Sequence, residues 1–219
     1  MSINIPATIG MSIEDIDTPC LLLDLDAFER NVAKMGKFVK ENGLRHRGHA
    51  KCHKSADIAA YLMEKGGTCG VCCQKVSEAE AMVSGGCRDV LVSNEVVSPR
   101  MIERLAALAK RARVVVCVDD LGNVDDLSSA AQTYGVTIEC LVEIDVGAGR
   151  CGVAPGEPAV EIALKISRAA GLKFAGLQSY QGKAQHVADY AERKAMIETA
   201  IADTCLLYTS DAADERSSV

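Results

Sequence analysis

Tryptophan is absent from these 219 residues, and three phenylalanines and five tyrosines are the whole stock of six-membered aromatic rings. A core built without large rings must be filled by aliphatic and small side chains, and a hydrophobic content of 48% supplies them. Such cores are usual where helices pack closely on a buried sheet. Basic residues are outnumbered, with 24 Lys and Arg against 30 Asp and Glu, for a net charge of −6 and a pI near 5.3. That balance argues against nucleic acid as the main partner. No apolar run approaches the ~20 residues of a membrane span. Met1 to Met11 also lacks the basic region and apolar run of a secretory leader. Neither nucleic acid nor membrane is therefore an expected partner, and the expected location is cytoplasmic.

Cysteine, by contrast, is plentiful, with ten residues. Without a secretory leader these read as reduced core thiols. Cys69-Gly70-Val71-Cys72 formally spells a CxxC pair. A zinc site would need a second pair, and the candidates His46, His49 and His53 belong to a different element without zinc-finger spacing. No metal ligand is assigned within the chain.

The patterning alternates. Residues 1 to 19 end in Thr18-Pro19, a break before a short strand expected over Cys20 to Asp24. Asp26 with Glu29 reads as the cap of a helix carrying Phe28, Val32, Met35 and Val39, stopped by Asn42-Gly43. A basic strand follows, then a helix near Ser55 to Lys65. The same theme then recurs: strands at Thr68 to Cys73, Asp89 to Ser93, Arg113 to Val118, Ile138 to Asp145 and Phe174 to Tyr180, each followed by a helix. The last helix is expected to run from about Ala188 to Thr204. Each unit is near the roughly 30 residues of a βαβ step, so a parallel sheet with helices outside is implied. An open doubly wound sheet and a (βα)8 barrel are the two closures. Strand five favours the barrel. Glu139, Leu141, Glu143 and Asp145 share one face and Cys140, Val142 and Ile144 the other. A sheet covered on both faces is apolar on both, whereas a barrel tolerates inward acids near its C-terminal mouth. The fold class is thus α/β, an incomplete (βα)8 barrel of about six units.

The most unusual stretch is Arg45-His46-Arg47-Gly48-His49-Ala50-Lys51-Cys52-His53-Lys54. It holds three of the four histidines and four cations in an acidic protein. As a strand it would point Arg47, His49 and Lys51 to one face. A row of basic groups is costly in a core unless it serves a ligand. A lysine crowded by cations is also the kind of nucleophile that Schiff-base chemistry uses. A solvated loop is the alternative reading of the same residues.

With the strands placed, Lys51 lies at the C-terminal end of strand one, where catalytic residues of such barrels sit. The run Arg47-Gly48-His49-Ala50-Lys51-Cys52-His53-Lys54 resembles the R-x-H-x-K-x-H-K of the D-threonine aldolase and D-serine dehydratase group. These are fold-type III pyridoxal-phosphate enzymes with alanine racemase-like barrels. Thr18-Pro19-Cys20, Gly70 to Glu80, Glu143-Ile144-Asp145 through Arg150-Cys151-Gly152-Val153, and Tyr180-Gln181-Gly182 are similar in style to the 3-hydroxy-D-aspartate aldolases. The resemblance covers about residues 12 to 204.

It implies that Lys51 forms the Schiff base with pyridoxal 5'-phosphate, with Lys54 as the competing candidate. Gln74 matches a cofactor-touching position, although a polar residue entering a helix reads the same way. Asn94 is a cofactor contact or a helix cap. Arg150, projected by Gly147 and Gly149, would face the polar edge of the cofactor ring, since an arginine stabilises a phenolate without becoming an acid. Tyr180 would pack on cofactor or substrate, and His53 would assist proton transfer. The implied reaction is retro-aldol cleavage of a D-3-hydroxy amino acid, giving glycine and glyoxylate from 3-hydroxyaspartate. Arg45, Arg47, His49 and His53 suit a dianionic substrate. D-threonine aldolase, D-serine dehydratase, a non-catalytic carrier serving cofactor homeostasis and a phosphate-binding metabolite barrel are the alternatives.

The resemblance further implies a homodimer and a divalent metal (Mg, Mn, Co or Zn) whose ligands, like the phosphate loop, lie in a C-terminal part. Residues 1–25 are expected to join that part's β domain, and 26–204 to form the partial barrel. Residues 205–219 resemble adapter read-through rather than native sequence, so the 219-residue chain by itself is expected to be inactive.

Overall fold

The computed structural model describes residues 7–208. The chain divides into two compact units, Met1–Leu44 and Arg45–Val219. In the first, α1 (Leu25–Glu41) is capped by Asp24, whose carboxylate accepts the Ala27 N–H at 2.8 Å. The cap is thus two residues earlier than the Asp26–Glu29 pattern suggested. Asn42 ends the helix and Gly43 follows in the left-handed region at φ 62°. Residues 20–24 are not a strand. No neighbouring chain pairs with their backbone among the described residues, and without a ladder an apolar run such as Leu21-Leu22-Leu23 remains irregular.

In the second unit six strands alternate with helices: β1 (Gly48–His49), α2 (Ala56–Lys65), β2 (Val71–Cys73), α3 (Val76–Ser84), β3 (Asp89–Glu95), α4 (Pro99–Leu108), β4 (Arg113–Val118), α5 (Leu121–Tyr134), β5 (Ile138–Ile144), α6 (Glu157–Arg168), β6 (Leu172–Ser179) and α7 (Tyr190–Tyr208). All pairings are parallel and the order is β1-β2-β3-β4-β5-β6. Consecutive strands are neighbours, as in a barrel, and the six units form an incomplete (βα)8 barrel. Local chemistry sets the ends. Ser55 and Asp120 accept the Ile58 and Asn123 N–H groups at the starts of α2 and α5, and Gly135 (φ 62°) ends α5.

The basic stretch is the main departure. Only Gly48 and His49 pair as strand. Ala50 donates to the Cys72 carbonyl at 2.7 Å, and the chain then turns so that Lys54 N–H bonds the Ala50 carbonyl. The second departure is α7, which continues through Cys205 to Tyr208 instead of stopping at Thr204. Tyr190, Ile197 and Ile201, which share one side of the helix, are exposed. Ala200 and Leu207, seven residues and two turns apart, are the buried side, and both join the core. Residues 209–219 of the expected non-native tail lie outside the described residues.

Alternation decides the rest. Val90, Val92, Val114, Val116, Val118, Ile138, Cys140, Val142 and Ile144 form one core with Ile102, Leu105, Leu127, Ile162 and Ile166 of the helices. The other face carries charge, and at the N-terminal strand ends it is paired. Arg47 donates to Asp89 Oδ1 at 2.6 Å, and Arg113 to Asp89 Oδ2 at 2.8 Å. Arg113 also grips Glu139 through Nε at 3.0 Å, and Lys173 reaches the same carboxylate at 3.3 Å. A side chain at Gly70 would collide with Arg47 Nη1 at 2.3 Å, so this glycine clears the arginine's path. Arg47 and Glu139 therefore belong to the floor, not to the mouth where the substrate-facing reading placed Arg47.

Arg113, with help from Lys173 and against burial, holds the Glu139 carboxyl below the usual carboxylate range. A depressed carboxylate contributes stability above its unfolded value and loses it as pH falls through the folded one. Arg113→Met should lower unfolding free energy by about 1–2 kcal/mol at neutral pH, between exposed and buried pairs. That penalty should shrink on acidification below the ordinary glutamate range, as urea titrations at several pH values would show.

Candidate active site

Because every strand runs the same way, the residues that follow them meet at one edge of the sheet. Lys51 follows β1, Gln74 follows β2, Asn94 and Glu95 end β3, Asp119 follows β4, Asp145 follows β5 and Tyr180 follows β6.

The two candidate lysines are distinguished by their partners. Lys54 adopts a left-handed backbone (φ 51°) and its amine pairs with Glu78 at 2.8 Å. Glu78 is nearly buried and also accepts the Gln74 N–H at 2.8 Å, so Lys54 closes a structural clamp between β1 and α3. Lys51 is exposed, and among the described residues its amine has no carboxylate partner. Its backbone N–H meets His49 Nδ1 at 3.3 Å. Burial, and then the Lys51 charge, push the His49 imidazole below its ordinary range. His53 is likewise lowered by burial; its Nδ1 accepts the Ser55 N–H at 3.1 Å, and its buried Nε2 has no partner among the described residues. A neutral ring that accepts at Nδ1 carries its proton on Nε2, so His53 stands here as a donor.

Gln74 and Asn94 line one cleft of about 340 Å³ with Glu95, Ser98 and Arg104. Asn94 caps no helix, since the N-cap of α4 is Ser98. Arg104 is committed to Glu80.

The loop after β5 is the most constrained feature of the edge. Asp145 Oδ1 accepts the N–H groups of Gly147 and Gly149, each at 2.9 Å, which hold its carboxyl below the usual range. Val153 returns beside the strand, bonding Glu143 and Asp145. Gly152 (φ 95°) fits only without a side chain, since a Cβ would lie 2.7 Å from Asp145 N. Gln181 Nε2 donates to the Val146 carbonyl at 2.7 Å, tying the loop to β6. These bonds set the Arg150 guanidinium 5.2 Å from the Tyr180 ring centre. Tyr180 in turn accepts from Gln185 Nε2 at 3.0 Å.

Three groupings thus result: Lys51 with His49 and His53, Gln74 with Asn94, and Arg150 with Tyr180. No hydrogen bond or ion pair joins one grouping to another among the described residues. Glu95, Asp119 and Gln181 were not assigned from sequence, for single polar residues after strands carry no signal of their own.

Beneath Arg150 lie Glu143, 3.7 Å from its guanidinium, and Cys151, whose thiol meets Glu143 at 3.3 Å. Glu95, Glu143 and Cys151 present ligand atoms within 4.8 Å of one another. The set suits a cation poorly as it stands. Burial pushes the Cys151 thiol up to about 11, so it keeps its proton, and Arg150 already supplies positive charge. Burial, followed by repulsion from Glu95, raises the Glu143 carboxyl above its ordinary range. Such a group binds its proton more tightly folded than unfolded, so stability falls as pH rises from the ordinary glutamate value through the raised one. Glu143→Gln should therefore raise the neutral-pH unfolding free energy by on the order of 1 kcal/mol. The gain should vanish near pH 4 in parallel denaturation curves.

The chain is similar to known proteins in sequence and in fold. The chain is 54% identical over 200 residues to 3-hydroxy-D-aspartate aldolase of Paracoccus denitrificans (strain Pd 1222), covering 91% of this chain and 52% of that protein. It is 42% identical over 188 residues to D-threonine aldolase of an Arthrobacter species, covering 86% and 49%. The crystal structure of D-threonine aldolase from Filomicrobium marinum superposes with a TM-score of 0.88 at 53% identity, over 91% of this chain and 54% of that one. The chain thus spans about half the length of the curated relatives it matches. Residues 23–206 match the profile described as alanine racemase, N-terminal domain, and the chain belongs to that family.

Proposed function

We propose that this protein carries pyridoxal 5'-phosphate on Lys51 and cleaves a D-3-hydroxy amino acid, with 3-hydroxy-D-aspartate as the foremost substrate. The observation that carries the reading is the lysine pair: at the edge where the strands end, Lys51 holds an uncommitted amine while Lys54 is bound to Glu78. The similarity to the Paracoccus aldolase supports the reaction class.

The residues present fit the cofactor. Lys51 would anchor it, Arg150 over Tyr180 offers a planar, permanently charged face to the polar ring edge, and Gln74 and Asn94 offer amides from one cleft. When bound, the cofactor supplies an electron sink for the pair left at Cα. The chain's own work is placement and proton control. Arg150 stabilises negative charge without donating a proton. The neutral His49 lies beside the Lys51 amide and His53 presents Nε2–H, so neither adds charge to the lysine. With Arg47 committed to the floor and Arg45 also before the start of β1, Lys51 and Arg150 remain to attract a dianionic substrate.

The balanced reaction takes 3-hydroxyaspartate to glycine and glyoxylate. The Cα–Cβ bond breaks, the hydroxyl proton leaves, and a proton returns to Cα. We further propose a cytoplasmic homodimer without nucleic-acid or membrane partners, with the N-terminal segment 1–25 joining a C-terminal β domain. No helix among the described residues is long and apolar enough to cross a membrane. The divalent metal of this proposal takes its ligands from outside the described residues, and the cofactor phosphate is held there too. D-threonine is the second candidate substrate, favoured by the likeness to the Filomicrobium and Arthrobacter enzymes.

The complete gene product, loaded with cofactor, should release glycine and glyoxylate in equal amounts from D-3-hydroxyaspartate. Acetaldehyde from D-threonine would mark the second reading, and ammonia with a 2-oxo acid but no glycine would overturn both. Borohydride reduction followed by peptide mapping should place the pyridoxyl group on Lys51, and finding it on Lys54 would refute the assignment. Lys51→Ala should cut turnover by roughly 10³-fold or more. Arg150→Ala should leave the fold intact while changing the bound cofactor's absorption and its pH response.

A further inference from the structure

Asp119 and Asp120 sit side by side at the end of β4 and divide two tasks. Asp120 caps α5 through the Asn123 N–H. Asp119, half-buried, turns the other way and accepts the Gly152 N–H at 2.9 Å with Oδ2. Gly152 is where the Arg150 loop comes back onto the sheet, and the fit is close, since a Cβ there would lie 2.7 Å from Asp145 N and from the Ile144 carbonyl carbon. Before Arg150 the loop is tied by side chains to backbone groups, Asp145 to Gly147 and Gly149 and Gln181 to Val146; after it, the Val153 backbone bonds Glu143 and Asp145 and the Cys151 thiol meets the Glu143 carboxylate. On the far side of the arginine the only side-chain anchor to a backbone group among the described residues is Asp119. A flexible side chain on a glycine-rich loop keeps a fixed place only if both flanks are held.

We propose that Asp119 is a positioning residue for Arg150: its carboxylate, fixed at the end of β4, locks the returning limb of the β5 loop and so sets where the guanidinium stands over Tyr180. This rests on the reading of Arg150 as a cofactor contact, but the anchoring can be tested without cofactor. A charge-assisted bond to a backbone N–H is among the stronger single hydrogen bonds, and its loss should raise the open population of the loop about tenfold.

Trypsin cleaves after arginine, so cutting at Arg150–Cys151, followed by mass spectrometry, reports on that opening. Asp119→Ala and Asp119→Ser, the latter too short to reach Gly152, should speed this one cut about tenfold and leave other sites unchanged. Asp119→Asn, which keeps an acceptor, should restore the original rate. In the unaltered chain the Gly152 amide should exchange with solvent at least about tenfold more slowly than the Arg150 amide, a measurement that needs no variant. In the complete, cofactor-loaded protein, Asp119→Ala should shift the bound cofactor's absorption in the same direction as Arg150→Ala, and Asp119→Asn should not. An unchanged tryptic rate in Asp119→Ala, a fast-exchanging Gly152 amide, or an absorption that Arg150→Ala shifts and Asp119→Ala does not, would each overturn the proposal. If the unaltered protein binds no pyridoxal phosphate, the cofactor reading fails, while proteolysis and exchange still decide whether Asp119 holds the loop.

Discussion

Parallel pairing from β1 to β6 is the constraint on which the rest of this molecule depends. Each strand is hydrogen-bonded in the same sense to the next, so each must be followed by a crossover helix, and every strand delivers its last residue to one edge. Six segments far apart in sequence thereby place Lys51, Gln74, Asn94, Asp119, Arg150 and Tyr180 around a common rim. None of them has to be near another in the chain, and each arrives by a local turn with its own hydrogen-bonding logic.

The same alternation that builds the sheet separates its charges into two tiers. At the floor, Arg47, Asp89, Arg113, Glu139 and Lys173 neutralise one another in an unbroken series. At the rim the balance is left incomplete. Glu143 is buried against Glu95 and faces a half-exposed guanidinium, and among the described residues the Lys51 amine has no carboxylate partner. A fully paired tier rigidifies and asks for nothing more, whereas an incompletely paired tier has electrostatic capacity left for a ligand. That contrast sets Arg113, paired on both sides, apart from Arg150, whose guanidinium is half-exposed.

Much of the fold was legible because periodicity is a direct readout of burial. β4 was expected from Arg113 to Val118 and has those bounds, and α3 likewise from Val76 to Ser84. The inward acids of β5 indicated the barrel because no covered open sheet would carry them. Reading failed where pattern and pairing part company. Residues 20–24 have strand composition but no partner, and a strand is a property of two segments. Arg45 to Lys54 reads as one alternating strand, yet the turn after His49 ends the alternation, so parity could not tell Arg47 from Lys51. On α7 the larger apolar stripe, Tyr190, Ile197 and Ile201, is exposed, and the core buries Ala200 and Leu207 instead. At the rim, Lys51 and Arg150 were visible through their motifs, while Glu95, Asp119 and Gln181 act through contacts between strands that no local window contains.

On the proposed reading, the two lysines show how little separates a scaffold residue from a cofactor-binding one. Lys51 and Lys54 are three residues apart on the same turn, with the same side chain and similar exposure. What distinguishes them is Glu78, which burial would make costly as a lone carboxylate and which therefore recruits the Gln74 N–H and the Lys54 amine together. The acid thus fixes the entry to α3 and removes one lysine from competition with a single contact. The left-handed backbone at Lys54 is the conformational cost of reaching it. With Lys54 held against the helix, Lys51 is the amine of the turn without a carboxylate partner among the described residues, so on the proposed reading the choice between the two lysines follows from where the nearest buried acid stands.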